Sequence, residues 1–108
     1  MQKKHFIATH TFISDETKKE FFEMAKGMSS KDFFTSSKNE HVKCVQHLMG
    51  TGDRFFCHWI AESENATLDN LIDGEEDQFF YSMCAEMDYY ITPNDENNDI
   101  HTKVSYVD

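Results

Sequence analysis

Two strand-like segments on either side of the turn sequence GTGD constrain the fold more than any other feature of the chain. The first segment, residues 41–49, reads HVKCVQHLM, and the second, residues 54–61, reads RFFCHWIA. Both are rich in β-branched, aromatic and other apolar side chains, which favours strands. Because GTGD contains two glycines and an aspartate, it is typical of a tight turn. The sequence therefore predicts a β-hairpin, and with it an antiparallel sheet.

Segments outside the hairpin also read as regular structure. The helical spacing of Phe21 and Ala25 favours an amphipathic helix, with Ser14 and Gly27 as suitable caps. Residues 29–39 are predicted to form a loop or one more helical turn. In chain order, the main predicted elements are a strand over residues 4–12, a helix over 14–28, the two hairpin strands, a helix over 63–74 and a strand over 83–92.

The order strand, helix, strand, strand, helix, strand is the split βαβ pattern of a ferredoxin-like sandwich. The sequence therefore predicts an α+β fold of βαββαβ topology, in which an antiparallel sheet carries two helices on one face. A length of 108 residues suits one domain. We therefore predict a single ferredoxin-like domain over residues 1–108, with residues 93–108 as a C-terminal loop and possible edge strand.

The net charge argues against nucleic-acid and membrane partners, and the cysteine content indicates the redox compartment. The formal net charge of −10 repels phosphate groups, so neither nucleic acid nor an anionic membrane surface is an expected partner. No apolar run approaches the roughly 18 residues that a transmembrane helix needs. The three cysteines include no C-x-x-C pair, which indicates reduced thiols and therefore a reducing compartment, the cytoplasm.

The hairpin also predicts which way two histidines point. If residues 50–53 form the loop, Met49 pairs with Arg54, and His47 and His58 share one face of the sheet. The opposite face of the hairpin is more uniformly apolar, so we expect it to pack against the helices. His47 and His58 are then expected on the open face. A shift of one residue in the pairing would reverse the assignment of one strand.

Two further side chains are predicted to join these histidines. On the last strand, the set that contains Met83 and Ala85 has the composition of a core, so Glu86 is expected on the open face. On the first strand, His10 shares its face with Phe12, and we expect this face to be open as well. The predicted site is a set of four side chains that converge in one cavity: His10, His47, His58 and Glu86.

The open face of the predicted sheet also implies self-association. It would carry apolar side chains beside the polar ones, and this is more apolar area than a monomer leaves in water. A second copy related by a two-fold axis would cover it, so we predict a homodimer. The apolar residues expected on this face are Phe6, Phe12, Phe56, Ile60 and Tyr90.

The predicted site suits two kinds of function. Imidazole and carboxylate groups together suit nickel, zinc, copper or iron. They also suit general acid–base catalysis, because histidine titrates near neutral pH. The first hypothesis is a protein that binds a transition metal or a small ligand. The second is a small cofactorless enzyme, and the third is a dimeric module without chemistry. The chain has no nucleophile constellation and no cofactor fingerprint, which favours binding.

The segments HFIATHTF and CVQHLMGTGDRFFCHWIAESENA resemble small ferredoxin-like proteins that include nickel-binding members, within the dimeric α+β barrel superfamily. The resemblance covers roughly residues 4–92 and depends mainly on the strand–helix joint FFCHWIAESENA, whereas residues 93–108 depart from the family pattern. It implies a homodimer whose two sheets enclose a cavity, and metal binding through histidines, for which His10, His47 and His58 are the nearest positions. Superfamily relatives include cofactorless monooxygenases and lactone isomerases, so the fold alone decides no chemistry.

Overall fold

The computed structural model describes residues 3–67, 79–89 and Pro93. A further helical turn begins at Glu64 and reaches Thr67, the last described residue of that segment. None of the helices in these ranges is long and apolar enough to cross a membrane. The main elements of the described ranges are β1 Lys4–Phe12, α1 Asp15–Ala25, α2 Ser30–Ser36, β2 Val42–Met49, β3 Arg54–Ala61 and β4 Phe80–Glu86.

The four strands form one antiparallel sheet in the order β2-β3-β1-β4, so β1 is central and pairs with both β3 and β4. This confirms the predicted α+β class and the antiparallel sheet, and the architecture is compatible with a ferredoxin-like fold. The strand predicted over residues 83–92 is found earlier, at Phe80–Glu86. The predicted second helix beyond Thr67 and the predicted C-terminal segment beyond Pro93 lie outside the described residues.

Local interactions at both ends explain the bounds of α1. The backbone N–H of Thr17 donates to Ser14 Oγ at 3.1 Å, and the backbone N–H of Ser14 donates to Thr17 Oγ1 at 3.0 Å. This reciprocal capping box satisfies two donors at the start of the helix. Gly27 follows the other end with a φ of 83°, where a residue with a Cβ would be strained. The chain then enters α2. Of the two structures predicted for residues 29–39, a loop or a further helical turn, the helical one is observed.

Aromatic rings that pack between α1 and the sheet form the core. The ring of Phe21 on α1 lies 5.5 Å from that of Phe12 on β1. It lies 5.6 Å from Phe55 on β3 and 5.9 Å from Phe80 on β4. One helical side chain therefore joins three strands. The face of the sheet that carries Phe12, Phe55 and Phe80 is called the helix face below, and the opposite face is called the open face.

A register shift in β2 alters the predicted hairpin. Met49 pairs with Phe55, one residue beyond the predicted Arg54, and the pairing shifts in the middle of β2. His47 consequently lies opposite Cys57, which is buried on the helix face. The predicted position of His47 on the open face is therefore wrong, because an extra residue in a strand reverses the alternation of its side chains.

The faces of β1 and β4 are also the reverse of those predicted. The even-numbered residues of β1 from Phe6 onward are buried on the helix face, including the fully buried His10. Met83 was expected in the core, yet it is 76% exposed. Glu86 pairs with Phe6 and therefore lies on the helix-face side of β4. The predicted open-face positions of His10 and Glu86 are wrong, because burying the aromatic rings of this face removes more apolar surface from water than burying the opposite face would.

The apolar residues predicted for the open face divide in the same way. Phe6 and Phe12 belong to the helix-face core, whereas Phe56 and Ile60 lie on the open face, since they alternate with the buried residues of β3. Tyr90 lies outside the described residues. Two of the five predicted residues, Phe56 and Ile60, therefore lie on the open face, and Phe6 and Phe12 do not.

Phe21→Ala should lower the free energy of unfolding by about 3–5 kcal/mol, because it removes a buried ring that contacts three strands and leaves a cavity. Phe22→Ala on the same helix is the matched control. Phe22 is 45% exposed, and its truncation should cost roughly 1 kcal/mol or less. Urea titration followed by circular dichroism measures both values. Equal losses in the two variants would contradict the described core.

Candidate functional site

His10 lies at the centre of the helix face, where its imidazole is fully buried between aromatic rings. Its ring centroid is 4.5 Å from that of Phe55, in a stacked arrangement, and 4.7 Å from that of Phe80, which it meets edge-on. Nδ1 of His10 is 2.7 Å from Oγ of Ser82, its pairing partner on β4. The other ring nitrogen, Nε2, has no hydrogen-bond partner among the described residues.

His47 is the second histidine on the helix face. Its Nδ1 is 3.3 Å from Sγ of Cys57, and its ring centroid is 4.9 Å from that of Phe33 on α2. Burial, with a smaller contribution from the nearby His47, lowers the pKa of His10 from 6.5 to about 4. Burial also lowers the pKa of His47. Both imidazoles are therefore neutral at neutral pH, and each carries one N–H donor and one acceptor nitrogen.

A small space that we call the inner cavity lies between these histidines and the helices. Its wall includes His10, His47, Cys57 and Trp59. The centre of a water molecule can occupy about 20 Å³ there, which is enough for one water. In the described part of the chain, the indole Nε1 of Trp59 is buried without a hydrogen-bond partner, as Nε2 of His10 is. Two unpaired polar atoms therefore belong to side chains that border one small space.

A larger space that we call the helix cleft opens between α1 and α2. Its volume is about 390 Å³. His47, Phe21 and Phe33 border both the helix cleft and the inner cavity, so they separate an outer space from an inner one. The apolar side chains that line the helix cleft are Phe21, Ala25, Met28, Phe33 and Phe34.

The open face carries a different pair of histidines. His5 on β1 and His58 on β3 are diagonal neighbours, because His58 pairs with Ile7 and His5 pairs with Ile60. His5 Nδ1 and His58 Nε2 are hydrogen-bonded at 2.8 Å, with one neutral imidazole donating its N–H to the other, and both side chains are buried. Burial lowers the pKa of both imidazoles, and repulsion from His5 adds to the lowering at His58. His58 thus lies on the open face as predicted, but its partner there is His5.

The four predicted site residues therefore do not converge. His10 and His47 share the helix face, while His58 lies on the other side of the sheet. The carboxylate of Glu86 is 3.1 Å from Nζ of Lys4, in a half-exposed ion pair. Among the residues that the structure describes, no group of three or more His, Cys, Asp or Glu side chains is close enough to hold a metal ion. The four predicted residues therefore do not form one metal-binding site.

The sequence reasoning missed two side chains, His5 and Trp59. The alternation of side chains along β1 would have placed His5 on the open face. If Phe6 and Phe12 are assigned to the core, the odd-numbered residues of the strand, His5 among them, lie on the opposite face. No local signal identifies Trp59. Whether its indole N–H finds a partner depends on how α1 and α2 pack over the sheet.

No disulfide joins the three cysteines, Cys44, Cys57 and Cys84, all of which lie within the described residues. Burial, with a contribution from the nearby Glu64, raises the pKa of Cys84 to about 11. The thiol of Cys84 is therefore protonated at neutral pH, which makes it a poor nucleophile.

Comparisons with known proteins identify no family. No family model matches the chain, and no curated protein or solved structure matches it significantly. The resemblance to nickel-binding ferredoxin-like proteins therefore stays a prediction from the sequence.

Burial of His10 should make the stability of the fold depend on pH. Its pKa is about 4 in the folded protein and 6.5 when solvated, so between these values the unfolded chain binds a proton that the folded chain does not. The free energy of unfolding should therefore fall by about 3 kcal/mol from this residue as the pH falls from about 7 to 4. His10→Gln, which does not titrate, should lack this contribution. Urea titrations of both proteins across this pH range measure the difference, and parallel curves would contradict it.

Proposed function

We propose that this protein is a homodimeric binding protein that holds a divalent transition metal ion, nickel or copper, at the His5–His58 pair of the open face. The observation that carries the proposal is the 2.8 Å separation between His5 Nδ1 and His58 Nε2. The pair lies on the face where the sequence predicts ligand binding, and it includes the predicted ligand His58. The resemblance to a family with nickel-binding members points to the same chemistry.

A metal ion that replaces the hydrogen bond between the two nitrogens would find them at a separation that suits neighbouring ligands. With metal–nitrogen bonds of about 2.1 Å, a separation of 2.8 Å corresponds to an N–metal–N angle of about 84°. Square-planar and octahedral ions place neighbouring ligands about 90° apart, whereas tetrahedral zinc needs about 109°. The pair therefore suits nickel or copper better than zinc. Water, a small ligand or groups from a second copy would complete the coordination.

The protonation state of the pair supports the same function. A histidine binds metal only as neutral imidazole. Burial lowers the pKa of His5 and, together with repulsion from His5, that of His58. Both side chains are therefore neutral at neutral pH. Because the shift is downward, the pair should release an ion at a lower pH than two solvent-exposed histidines would.

A row of apolar side chains on the open face supports the homodimer. Leu48 of β2 pairs with Phe56 of β3. Phe56 in turn pairs with Thr9 of β1, which pairs with Met83 of β4, so the row crosses the whole sheet. Leu48 is 49% exposed, Phe56 42% and Met83 76%. An exposed apolar row of this extent is typical of an interface. A second copy packed sheet to sheet about a two-fold axis would cover it, as in a dimeric α+β barrel.

The alternative function, a cofactorless enzyme with a cavity histidine as acid or base, has weaker support. An efficient acid–base group has a pKa near the working pH. Burial instead lowers the pKa of four histidines, and that of His10 reaches about 4. These imidazoles stay neutral near pH 7 and are poorly placed to exchange protons there.

Titration of untagged protein with nickel or copper should release heat, and zinc should bind more weakly. His5→Ala and His58→Ala should each weaken nickel binding by more than about 100-fold, because even changes beyond the metal ligands cost about 10–100-fold. Calorimetry at pH 7 and at pH 5 measures both effects, with less binding at the lower pH.

His47→Ala is the matched control for the metal site, because it removes a partly buried histidine from the opposite face of the sheet. Its nickel affinity should equal that of wild type. The metal proposal is abandoned if wild type gives no heat with nickel or copper, or if His47→Ala loses as much affinity as His58→Ala.

Sedimentation should show a dimer at micromolar concentration, and Met83→Glu should shift it to monomer, because it places a charge in the apolar row. Met24→Glu is the matched control, since Met24 is 50% exposed on α1, away from the open face. A monomeric wild type, or equal dissociation in both variants, would contradict the sheet-to-sheet dimer.

A further inference from the structure

We propose that the helix cleft and the inner cavity together form a second binding site, for a neutral aromatic molecule that carries one carbonyl-type oxygen. The site lies on the helix face, and it is independent of the metal site on the open face. Its oxygen would occupy the inner cavity, and its ring would lie in the helix cleft.

The inner cavity calls for a hydrogen-bond acceptor. His10 has no exposed surface and Trp59 is 2% exposed, and Nε2 of His10 and Nε1 of Trp59 both lack partners in the described ranges. An indole N–H can only donate. When the hydroxyl of Ser82 donates to Nδ1 of His10, the ring proton is on Nε2, which is then a second donor. In that tautomer, two side chains that border the inner cavity carry buried donors, which an oxygen lone pair would satisfy.

The lining favours a neutral occupant. The described side chains that border the two spaces include no Asp, Glu, Lys or Arg. A carboxylate placed here would lose its hydration without gaining a counter-ion. The net charge of −10 would oppose it as well. A carbonyl oxygen accepts the same hydrogen bonds without this cost.

The helix cleft accounts for the aromatic part of the ligand. Its volume of about 390 Å³ lies in the range of small-molecule pockets, about 300–1,000 Å³. Phe21, Phe33 and Phe34 offer ring faces and edges, and Met28 adds a polarizable side chain.

Access from the helix cleft to the inner cavity requires only a local change. His47, Phe21 and Phe33 separate the two spaces. Phe33 belongs to α2, a seven-residue helix without a buried residue. Of the three side chains between the two spaces, we therefore expect Phe33 to move most easily. The proposal requires the Phe33 side chain to shift so that the two spaces connect.

The test uses acetophenone as the probe, with ethylbenzene as a match of similar shape without oxygen and benzoate as the anionic match. Trp59 is the only tryptophan, so the protein gives one indole N–H signal in a ¹H–¹⁵N spectrum. Acetophenone should move this signal downfield in a saturable way. Ethylbenzene should bind at least about tenfold more weakly because it leaves the donors unpaired. Benzoate should also bind at least about tenfold more weakly, because its carboxylate loses its hydration without gaining a counter-ion.

Two variants fill the helix cleft from opposite walls: Ala25→Phe on α1 and Ser30→Phe on α2. Each should weaken acetophenone binding at least about tenfold while the circular dichroism spectrum stays that of wild type. His58→Ala, on the open face, is the control and should bind acetophenone as wild type does. Using two variants keeps the test valid if one of them fails to fold.

The proposal is overturned if acetophenone leaves the indole signal in place up to its solubility limit. It is also overturned if ethylbenzene binds equally well, or if binding survives in every filled variant that folds. The first of these results would assign the two donors to an ordered water alone.

Discussion

The face of β1 that packs against the helices determines the rest of the structure. β1 is the central strand, and its helix face carries the phenylalanines Phe6 and Phe12. Burial of each ring contributes about 1.5–3 kcal/mol, and the opposite face of the strand offers threonines in their place. His10 is in phase with the two rings and is therefore buried with them, although an imidazole is costly to desolvate. His5 is out of phase and lies on the other side of the sheet.

Burial affects the histidines on both sides of the sheet, but their hydrogen-bond partners differ between the two faces. Burial keeps the imidazoles neutral on both faces. On the helix face, aromatic rings surround His10, and within the described residues its Nε2 has no hydrogen-bond partner. On the open face, one imidazole of the His5–His58 pair donates a hydrogen bond to the other across 2.8 Å.

The class of the fold followed from short-range patterns, whereas the composition of the candidate sites did not. Strand-like segments, the GTGD turn and the cap at Ser14 each act within a few residues, so they can be read directly. The hairpin register was predicted correctly at its far end, where Val42 pairs with Ala61. It failed beyond Cys44, where one extra residue in β2 moves His47 to the helix face. A bulge of this kind depends on how the strand fits its neighbours, and no residue in the segment marks it.

The sequence by itself determined the α+β class, the antiparallel hairpin, the first helix and the position of His58 on the open face, because alternation, turn composition and capping are local properties. Only the tertiary structure decided which histidines meet. The pairing of β1 with both β3 and β4 brings His5 to His58 and His10 to Ser82. Trp59 and His10 both border the inner cavity, where the described part of the chain supplies no hydrogen-bond partner for Trp59 Nε1 or His10 Nε2. The two histidine contacts join residues that are 53 and 72 positions apart. Their geometry depends on which rings are buried on one face of the sheet.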